Sequence, residues 1–409
     1  MTEYEIRKLA MDRHLKGEAP CTIYRSLKRS STWFFKWLKR YQTTGDTGLH
    51  DQSRAPLCSP NKIPTEIEQV IVAVRRTLAA HDTEETKYSP IGADSVSWEL
   101  TKLYPEKDPP SITTINRVIR RNGLLETSTL PKRESLPYPT PIAVYPNSVH
   151  QLDDVGPRHV RGSDGLLERF FSVNLVDCYS RMAATRPYGN VKTTTLIDFL
   201  IFSVWNHIGI PEILQVDNML AVKGSNRHPR SPGAMIRLCL LMGVEVLFIP
   251  VNEPQRNGTV ESFNNTFDRV FFRRQSFQSL KHLEEEAVNF QRRYCTERPH
   301  TGLKVKQHGS KVPASVHFRH PVRTLPCGFS IKEYEVSGRL KIPLSPGKIS
   351  FIRLVSKYDK ISLFSEQFAV PPGKYRHQYV KATIFTGENI LRMTHEDGII
   401  KEEPYILKP

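Results

Sequence analysis

The sequence lacks several features that mark specialised classes of protein. Its six cysteines are scattered over 409 residues, with no Cys-x-x-Cys pair and no histidine at zinc-ligand spacing, which argues against a zinc module and against a disulfide framework. No uncharged apolar run approaches the roughly 18 residues that cross a membrane, and the N-terminal segment has no signal-like apolar stretch. We therefore expect a protein of a reducing, cytoplasmic compartment without a membrane partner.

Acidic residues are scarce relative to basic ones. Lys and Arg number 58 against 42 Asp and Glu, so the formal net charge is +16 and the surface should attract polyanions. The hydrophobic share of 39% is ordinary for a folded protein, so the basic excess does not indicate a disordered chain. Nucleic acid is therefore the first partner to consider.

Residues 1–55 predict a helix-turn-helix DNA-binding domain. Three short helical patterns follow one another, and residues 30–32 offer N-cap side chains for the third. Two short helices before a basic third helix are typical of modules whose last helix enters the DNA major groove. A small helical bundle with a merely solvated basic face is the alternative. The residues of the third helix that we predict to contact DNA are Lys36, Lys39 and Arg40.

Residues 62–125 predict a second helical, helix-turn-helix-like DNA-binding domain, with its helices near 64–81, 89–103 and 111–122. The last helix has Ser111 as an N-cap candidate and a basic side opposite an apolar stripe. A helical brace without DNA contacts is the alternative. The predicted DNA contacts of this helix are Arg117, Arg120 and Arg121.

The rest of the chain changes character more than once. Residues 126–147 are rich in proline and predict a linker. Residues 148–305 alternate strand-like and helix-like segments, which predicts an α/β domain with a mixed sheet. After a connector at 306–325, residues 326–409 predict a small all-β, barrel-like domain or sandwich. The strands predicted for the α/β domain are 149–155, 169–176, 182–186, 213–216 and 245–249, and its helices are 193–207, 235–242, 258–274 and 280–293.

Three acidic residues occupy positions at which α/β sheets commonly carry functional side chains. Asp153 lies in the strand VHQLDDV, Asp217 follows the apolar run EILQV at a strand end, and Glu261 lies one turn into a helix. Gathered by the fold, three carboxylates suit two Mg²⁺ ions acting on a phosphodiester. Taken singly, each is more commonly a solvated charge, a turn residue or a helix cap, so their spacing alone is weak support.

Five segments around and between these acids occur in a recognisable order. They are HQLDDVG at 150–156, VDCYSR at 176–181, ILQVDN at 213–218, PQRNGTVESFNNTF at 254–267 and YCTERPHTGL at 294–303. Together they cover about residues 148–305 and resemble the catalytic core of the DDE-type transposases of the retroviral integrase superfamily, in particular bacterial insertion-sequence transposases. The helical N-terminal region and the β-rich tail resemble the flanking domains of the bacterial members.

The resemblance implies an RNase H-like catalytic core in which Asp153, Asp217 and Glu261 are catalytic and bind two Mg²⁺ ions, for which Mn²⁺ can substitute. It also implies that Asn218 and Gly258 support the site and that Asn257 lies near the DNA substrate. Asp154 is a rival of Asp153 for the first metal position, but the family places its acid two residues after the Gln. His150 stands where the family usually has Trp.

Several residues near this core admit two interpretations. Asp177 is either a turn residue that supports the segment after it or a direct metal contact, and we include it as a supporting residue. The interval between Asp217 and Glu261 is longer than usual in the family, and the excess falls in a loop at 221–235 that either clamps phosphates or is only solvated. On the helix after Gly258, spacing places Asn265 and Asp268 on the face of Glu261. The predicted DNA contacts of the loop and helix are Lys223, Arg227, Arg230, Arg269 and Arg273.

The resemblance thus predicts a DNA transposase that binds element-end inverted repeats and performs Mg²⁺-dependent 3′-end cleavage and strand transfer. Its partners would be double-stranded DNA, at element ends and target sites, and further copies of itself in a homo-oligomer. Its location would be the cytoplasm of a bacterium, associated with the nucleoid. A catalytically silent DNA-binding regulator and an RNase H-like nuclease that cuts without joining are the alternatives.

Overall fold

The computed structural model describes residues 2–51, 63–125, 136–162, 165–225, 228, 230–396 and 398–408. The chain divides into two compact units, Met1–Pro64 and Thr65–Pro409. Within the described ranges, no helix combines the length and the apolar character needed to cross a bilayer.

The first unit is a bundle of three helices, α1 (Glu3–Leu15), α2 (Pro20–Ser26) and α3 (Ser31–Thr44). The helices begin where the caps allow: the Thr2 side chain accepts from the backbone N–H of Glu5, and the Ser30 hydroxyl accepts from that of Trp33. Phe34 and Trp37 of α3 fill the core between the helices. The three predicted helices are therefore present, and the basic side chains of α3 lie on its other faces.

The second unit begins with three helices, α4 (Thr65–Ala80), α5 (Ala93–Leu103) and α6 (Ile112–Arg121). Each buries one apolar face, for example Ile115, Val118 and Ile119 of α6. The segment between α4 and α5 contacts the α/β part of the unit, because Lys87 and Tyr88 both donate hydrogen bonds to Glu286. These helices are therefore packed into the same compact unit as the α/β core.

The core of the second unit is a mixed sheet with helices packed against it. Strands β1 (Val149–Arg161), β2 (Leu167–Asp177) and β3 (Ala183–Tyr188) pair antiparallel, and β4 (Ile213–Val216) and β5 (Glu245–Phe248) follow parallel to β1. The strand order of this part is 3-2-1-4-5, and the mixed sheet predicted for residues 148–305 is present. The helices of this part are α7 (Thr193–Asp198), α8 (Leu220–Lys223), α9 (Ala234–Leu241), α10 (Gly258–Thr266), α11 (Leu280–Thr296), α12 (Val305–His308) and α13 (Pro313–His317).

Two of the predicted helices change their winding part way along. The helix predicted at 193–207 is α7 followed by a π-helical segment, Phe199–Trp205. The helix predicted at 258–274 is α10 followed by a π-helical segment, Phe267–Phe271, and a short 3₁₀ turn. Hydrophobic periodicity alone does not distinguish these windings, because both keep one apolar face on the core.

The C-terminal strands differ from the prediction of a separate barrel-like domain. They are β6 (Glu335–Val336), β7 (Arg339–Leu340), β8 (Lys348–Leu354), β9 (Lys360–Leu363), β10 (Glu366–Ala369), β11 (Tyr379–Phe385), β12 (Ile390–His395) and β13 (Gly398–Pro404). β8 pairs parallel with β5, and β11, β12 and β13 continue outward from it, giving one sheet of nine strands. The tail is β-rich as predicted, but four of its strands extend the sheet of the core.

Apolar side chains close the junction between β5 and β8. The rings of Phe248 and Phe351 stack with centroids 4.8 Å apart and planes within 10°, and both side chains are buried. Residues of the strands β1–β5 and of the tail belong to a single hydrophobic core. The junction therefore covers an edge of β5 that would otherwise expose unpaired backbone groups.

Because the tail and the strands β1–β5 share one hydrophobic core, we predict that a cavity made in the tail destabilises these strands. Phe351→Ala should lower the free energy of unfolding by about 3–5 kcal/mol, because a buried aromatic side chain and its packing are lost. Urea unfolding, combined with hydrogen exchange of the β4 and β5 backbone, measures this effect. Tyr358→Ala, at a side chain that is 71% exposed, is the control. Unchanged protection of β4 and β5 in Phe351→Ala would contradict the shared core.

The contact between Glu286 and the α4–α5 segment predicts a pH-dependent contribution to stability. Burial opposes ionisation of Glu286, but the hydrogen bonds from Lys87 (2.9 Å) and Tyr88 (2.6 Å) prevail and lower its pKa to about 2. A lowered carboxyl pKa stabilises the fold above the unfolded-state pKa, about 4.3, and this contribution disappears as the pH falls through about 2. Glu286→Gln should therefore be less stable than wild type at neutral pH and equal to it near pH 2. Urea unfolding across this range, with Glu284→Gln as control, tests the prediction.

Candidate active site

Two of the three predicted acids lie at the same end of two neighbouring strands. The parallel register pairs Val149 with Ile213 and Gln151 with Gln215. Asp153 lies two residues beyond Gln151 in β1, and Asp217 lies two residues beyond Gln215, directly after β4. Neighbouring strands lie about 4.8 Å apart, so side chains at equivalent positions share one face of the sheet. Both residues are half-buried.

The third acid is brought to this edge by α10. The Gln151 side-chain oxygen accepts hydrogen bonds from the backbone N–H groups of Thr259 (2.9 Å) and Val260 (3.2 Å). These bonds satisfy two of the unpaired donors at the start of the helix and fix it to β1, two residues before Asp153. Glu261 is the next residue of α10 and is half-buried.

Four carboxyl groups share the electrostatic environment of this site. Burial raises the pKa of Asp153, and the negative charges of Asp154, Asp217 and Glu261 raise it further, to about 7. Burial and Asp217 raise the pKa of Asp154 to about 6. Burial also raises the pKa values of Asp217 and Glu261. A bound cation would stabilise the ionised form of such buried, neighbouring carboxyl groups.

The chemistry of this donor set fits a hard divalent cation. All four groups are carboxylates, and Mg²⁺ prefers oxygen ligands from a few carboxylates together with phosphate oxygens. Within the ranges that the structure describes, however, no three His, Cys, Asp or Glu side chains form a group that could hold a metal ion. Binding by three of these carboxylates therefore requires rotation of their side chains.

Asn264 contacts the first acid and was not predicted from the sequence. Its Nδ2 donates a hydrogen bond of 2.8 Å to Oδ2 of Asp153, and its Oδ1 accepts one of 2.8 Å from Nδ2 of Asn174. Asn174 in turn accepts from the hydroxyls of Ser172 and Thr185. The sequence analysis placed Asn265 on the face of Glu261, but Asn265 is exposed. The i+3 spacing between Glu261 and Asn264 was the available signal.

The residues predicted to lie around the acids contact different parts of the fold. Asn218 donates 2.7 Å to the backbone oxygen of Ile249. Asn257 is only 2% exposed, donates to the backbone oxygen of Leu152 and accepts from the Gln215 side chain. The prediction of Asn257 as a DNA contact is therefore corrected: it is a buried link between strands and α10. Gly258 begins α10, and a side chain there would meet no atom within 4 Å, so packing does not explain glycine at this position.

Asp177 lies in a buried hydrogen-bond network at the end of β2. Its carboxylate accepts from the backbone N–H groups of Asn147, Tyr179 and Ser180 and from the Ser180 hydroxyl. His150 lies 3.4 Å away and, despite the penalty of burial, these contacts lower the pKa of Asp177. These are the contacts of a turn-stabilising residue, and His150 fills the position next to Gln151 as part of the same network.

The basic residues predicted to contact DNA on the helical segments differ in availability. Lys36 and Lys39 are exposed on α3, whereas Arg40 is half-buried with its guanidinium 4.8 Å from the Trp37 ring. Arg117 and Arg120 are exposed on α6. Arg121 is also exposed but forms an ion pair with Glu68, so its charge is partly compensated.

The basic residues predicted to contact DNA near the core also include both exposed residues and residues held in ion pairs. Lys223 is half-buried, and Arg269 is exposed on the helix that continues α10. Arg230 forms a two-pronged ion pair with Glu366, and Arg273 pairs with Asp268 at 2.6 Å. Arg227 lies outside the described residues. The ion pairs of Arg230 and Arg273 involve partners that the sequence analysis did not identify.

A family model supports the resemblance over the last part of the segment that carries the motifs. The model of the integrase core domain matches residues 242–306 of the chain. This range contains β5, α10 with Glu261, and the segment YCTERPHTGL. Asp153 and Asp217 lie before it.

Solved retroviral integrases are similar to parts of the chain. The HTLV-2 integrase catalytic core domain in complex with magnesium is 14% identical with a TM-score of 0.28, over 43% of this chain and 99% of that one. The simian T-cell lymphotropic virus intasome in complex with PP2A regulatory subunit B56 gamma is 11% identical with a TM-score of 0.32, over 82% and 97%. The BIV integrase core is 12% identical with a TM-score of 0.29, over 42% and 95%.

The hydrogen bond from Asn264 predicts a role in holding Asp153 for a cation. Asn264→Ala should weaken Mn²⁺ binding about 10- to 100-fold, as removal of groups that orient metal ligands typically does. EPR titration of Mn²⁺ measures the affinity. The neighbouring variant Asn265→Ala, at an exposed position, should bind Mn²⁺ like wild type. Equal effects of the two substitutions would contradict the role of Asn264.

Proposed function

We propose that this protein is a DNA transposase that binds the inverted repeats at element ends, cleaves the 3′ end and transfers the freed strand into target DNA. The observation that carries the proposal is the parallel register of β1 and β4, which brings Asp153 and Asp217 to the same end of neighbouring strands in a mixed sheet of order 3-2-1-4-5. The position of Glu261 on α10 and its electrostatic influence on Asp153 support the same assignment.

In this proposal Asp153, Asp217 and Glu261 are the residues that hold two Mg²⁺ ions, or Mn²⁺ in their place. Two such ions supply an activated attacking oxygen and stabilise the departing oxygen of a phosphodiester. Gln151 fixes the start of α10, so that Glu261 stays near the two aspartates. Asn264 orients the carboxylate of Asp153. The same residues serve hydrolysis and strand transfer, because both are displacements at phosphorus.

The exposed basic residues are the proposed DNA contacts. Lys36, Lys39, Arg117, Arg120 and Arg269 are exposed, and the chain has a net charge of +16. Such residues contact backbone phosphates, so they contribute affinity and salt dependence rather than sequence choice. Because of the resemblance, the proposal also includes a homo-oligomer that recognises two element ends.

The proposal predicts that each of the three acids is indispensable for catalysis but not for DNA binding. Asp153→Asn, Asp217→Asn and Glu261→Gln should each abolish cleavage and joining, because each removes a negatively charged oxygen ligand. Gel shift and cleavage assays with a labelled fragment of the inverted repeat that flanks the coding region measure both properties. Glu388→Gln, at an exposed acid in the turn between β11 and β12, should retain activity.

The same assay separates the alternatives when a target plasmid and Mg²⁺ are included. Joined products support the transposase, whereas nicks without joining indicate a nuclease. A gel shift without cleavage indicates a DNA-binding regulator. Strand transfer by any of the three acid variants would contradict the assignment of the site.

A further inference from the structure

Arg353 of β8 extends from the C-terminal part of the sheet to the edge that carries the acids. Its side chain is largely buried, with 8% of the residue exposed. β8 pairs with β5, so Arg353 lies on the strand that neighbours the second parallel strand of the core.

The guanidinium of Arg353 binds Asn218, two residues after β4, and Ile249, directly after β5. Its Nη2 donates a hydrogen bond of 2.6 Å to Oδ1 of Asn218, and its Nη1 donates one of 2.8 Å to the backbone oxygen of Ile249. Asn218 itself donates 2.7 Å from Nδ2 to the same oxygen of Ile249. Arg353, Asn218 and Ile249 therefore form a closed network in which both ends of the Asn218 amide are fixed.

The rest of the guanidinium is held by the tail itself. Nε donates 3.0 Å to the backbone oxygen of Ser362, and Nη1 also donates 2.9 Å to that of Ile352. No carboxylate within the described ranges accepts a hydrogen bond from it. Burial lowers the pKa of Arg353 to about 10, so the group remains charged at neutral pH. A buried cation without an anionic hydrogen-bond partner is costly, and a hydrophobic side chain would fill the same space without that cost.

Asn218 is adjacent to Asp217 in the chain, and the short segment around both is fixed on two sides. The Asp217 carboxylate accepts from the backbone N–H of Met219 (3.0 Å), and the backbone N–H of Ile249 donates to the oxygen of Val216 (3.0 Å). Movement of Asn218 would therefore displace the backbone that carries Asp217. Catalysis by metal-bound carboxylates is sensitive to such displacement, because ligand geometry must be held within fractions of an ångström.

We propose that Arg353 is a positioning residue of the catalytic site, which acts through Asn218 to hold Asp217 in place for the metal ions. This role rests on the proposed function. It makes the C-terminal strands part of the catalytic machinery, because they supply a side chain without which the second acid is not held.

The test is a double-mutant cycle with Arg353→Met and Asn218→Ala, in which Mn²⁺ affinity is measured by EPR without DNA and turnover is measured with DNA. Each single variant should weaken Mn²⁺ binding and lower kcat about 10- to 100-fold, while KM for DNA stays unchanged. The double variant should be no worse than the more affected single variant, because both substitutions break one network. Arg353→Lys, which keeps the charge but not the fork of donors, should recover part of the loss.

Arg392→Met is the matched control. Arg392 lies on β12 in the same extension of the sheet and forms an ion pair with Glu402. This variant should bind Mn²⁺ and turn over DNA like wild type. An equal loss in Arg392→Met would mean that any disturbance of the tail impairs the site, and it would overturn the specific role of Arg353.

Other outcomes are also decisive. Wild-type Mn²⁺ affinity and kcat in folded Arg353→Met, or strictly additive losses in the double variant, would overturn the proposal. If Arg353→Met does not fold, Asn218→Ala decides alone: a weakened Mn²⁺ affinity supports the network, and an unchanged affinity overturns it. A wild-type protein that binds Mn²⁺ here but neither cuts nor joins DNA would contradict only the proposed function. A wild-type protein that binds no Mn²⁺ would overturn both.

Discussion

Parallel pairing of β1 with β4 brings two aspartates to the same end of neighbouring strands. Asp153 and Asp217 each lie two residues beyond the paired Gln151 and Gln215, and the burial of Leu152 and Val216 favours this register. Burial is the main cause of the raised pKa of Asp153, and the negative charges of Asp154, Asp217 and Glu261 raise this pKa further. An arrangement that costs free energy in the absence of a cation is the arrangement expected of a site built to bind one.

The polar residues around these acids explain how the arrangement is tolerated. Gln151 binds the start of α10, Asn264 binds Asp153, and Asn257 joins β1 to the turn before α10. Each bond connects two elements that are distant in sequence. Amide side chains therefore link the strands and the helix that carry the acids.

The C-terminal strands complete this frame. Besides the contacts of Arg353, the hydroxyl of Tyr379 on β11 donates 2.6 Å to Glu253, in the turn that leads to α10. Arg256 of the same turn pairs with Glu253 and lies 4.1 Å from the ring of Tyr138. A segment predicted as linker, a motif of the core and a strand of the tail thus meet at one turn, and the continuity of the sheet from β5 to β8 makes this meeting possible.

Much of the core could be predicted from the sequence because its signals are local. The strand at 213–216 has the predicted bounds. The three acids are predicted from the short sequence motifs around them, in a strand, at a strand end and in the first turn of a helix. The pairing of β8 with β5 could not be predicted, since alternation shows which face of a strand is buried but not which strand it joins. Spacing alone does not distinguish Asn264 from Asn265, because the i+3 and i+4 neighbours of Glu261 both lie on its face of the helix. The burial of Asn257 and the pairing of Arg230 with Glu366 depend on partners far away in the chain, which no local pattern reveals.

The most direct measurement of the central claim is a crystal structure with Mn²⁺, in which anomalous scattering locates the ions. The account predicts two Mn²⁺ ions about 4 Å apart, held by Asp153, Asp217 and Glu261. Mn²⁺ bound away from these carboxylates, or carboxyl groups of Asp153 and Asp217 that stay more than about 8 Å apart, would contradict it.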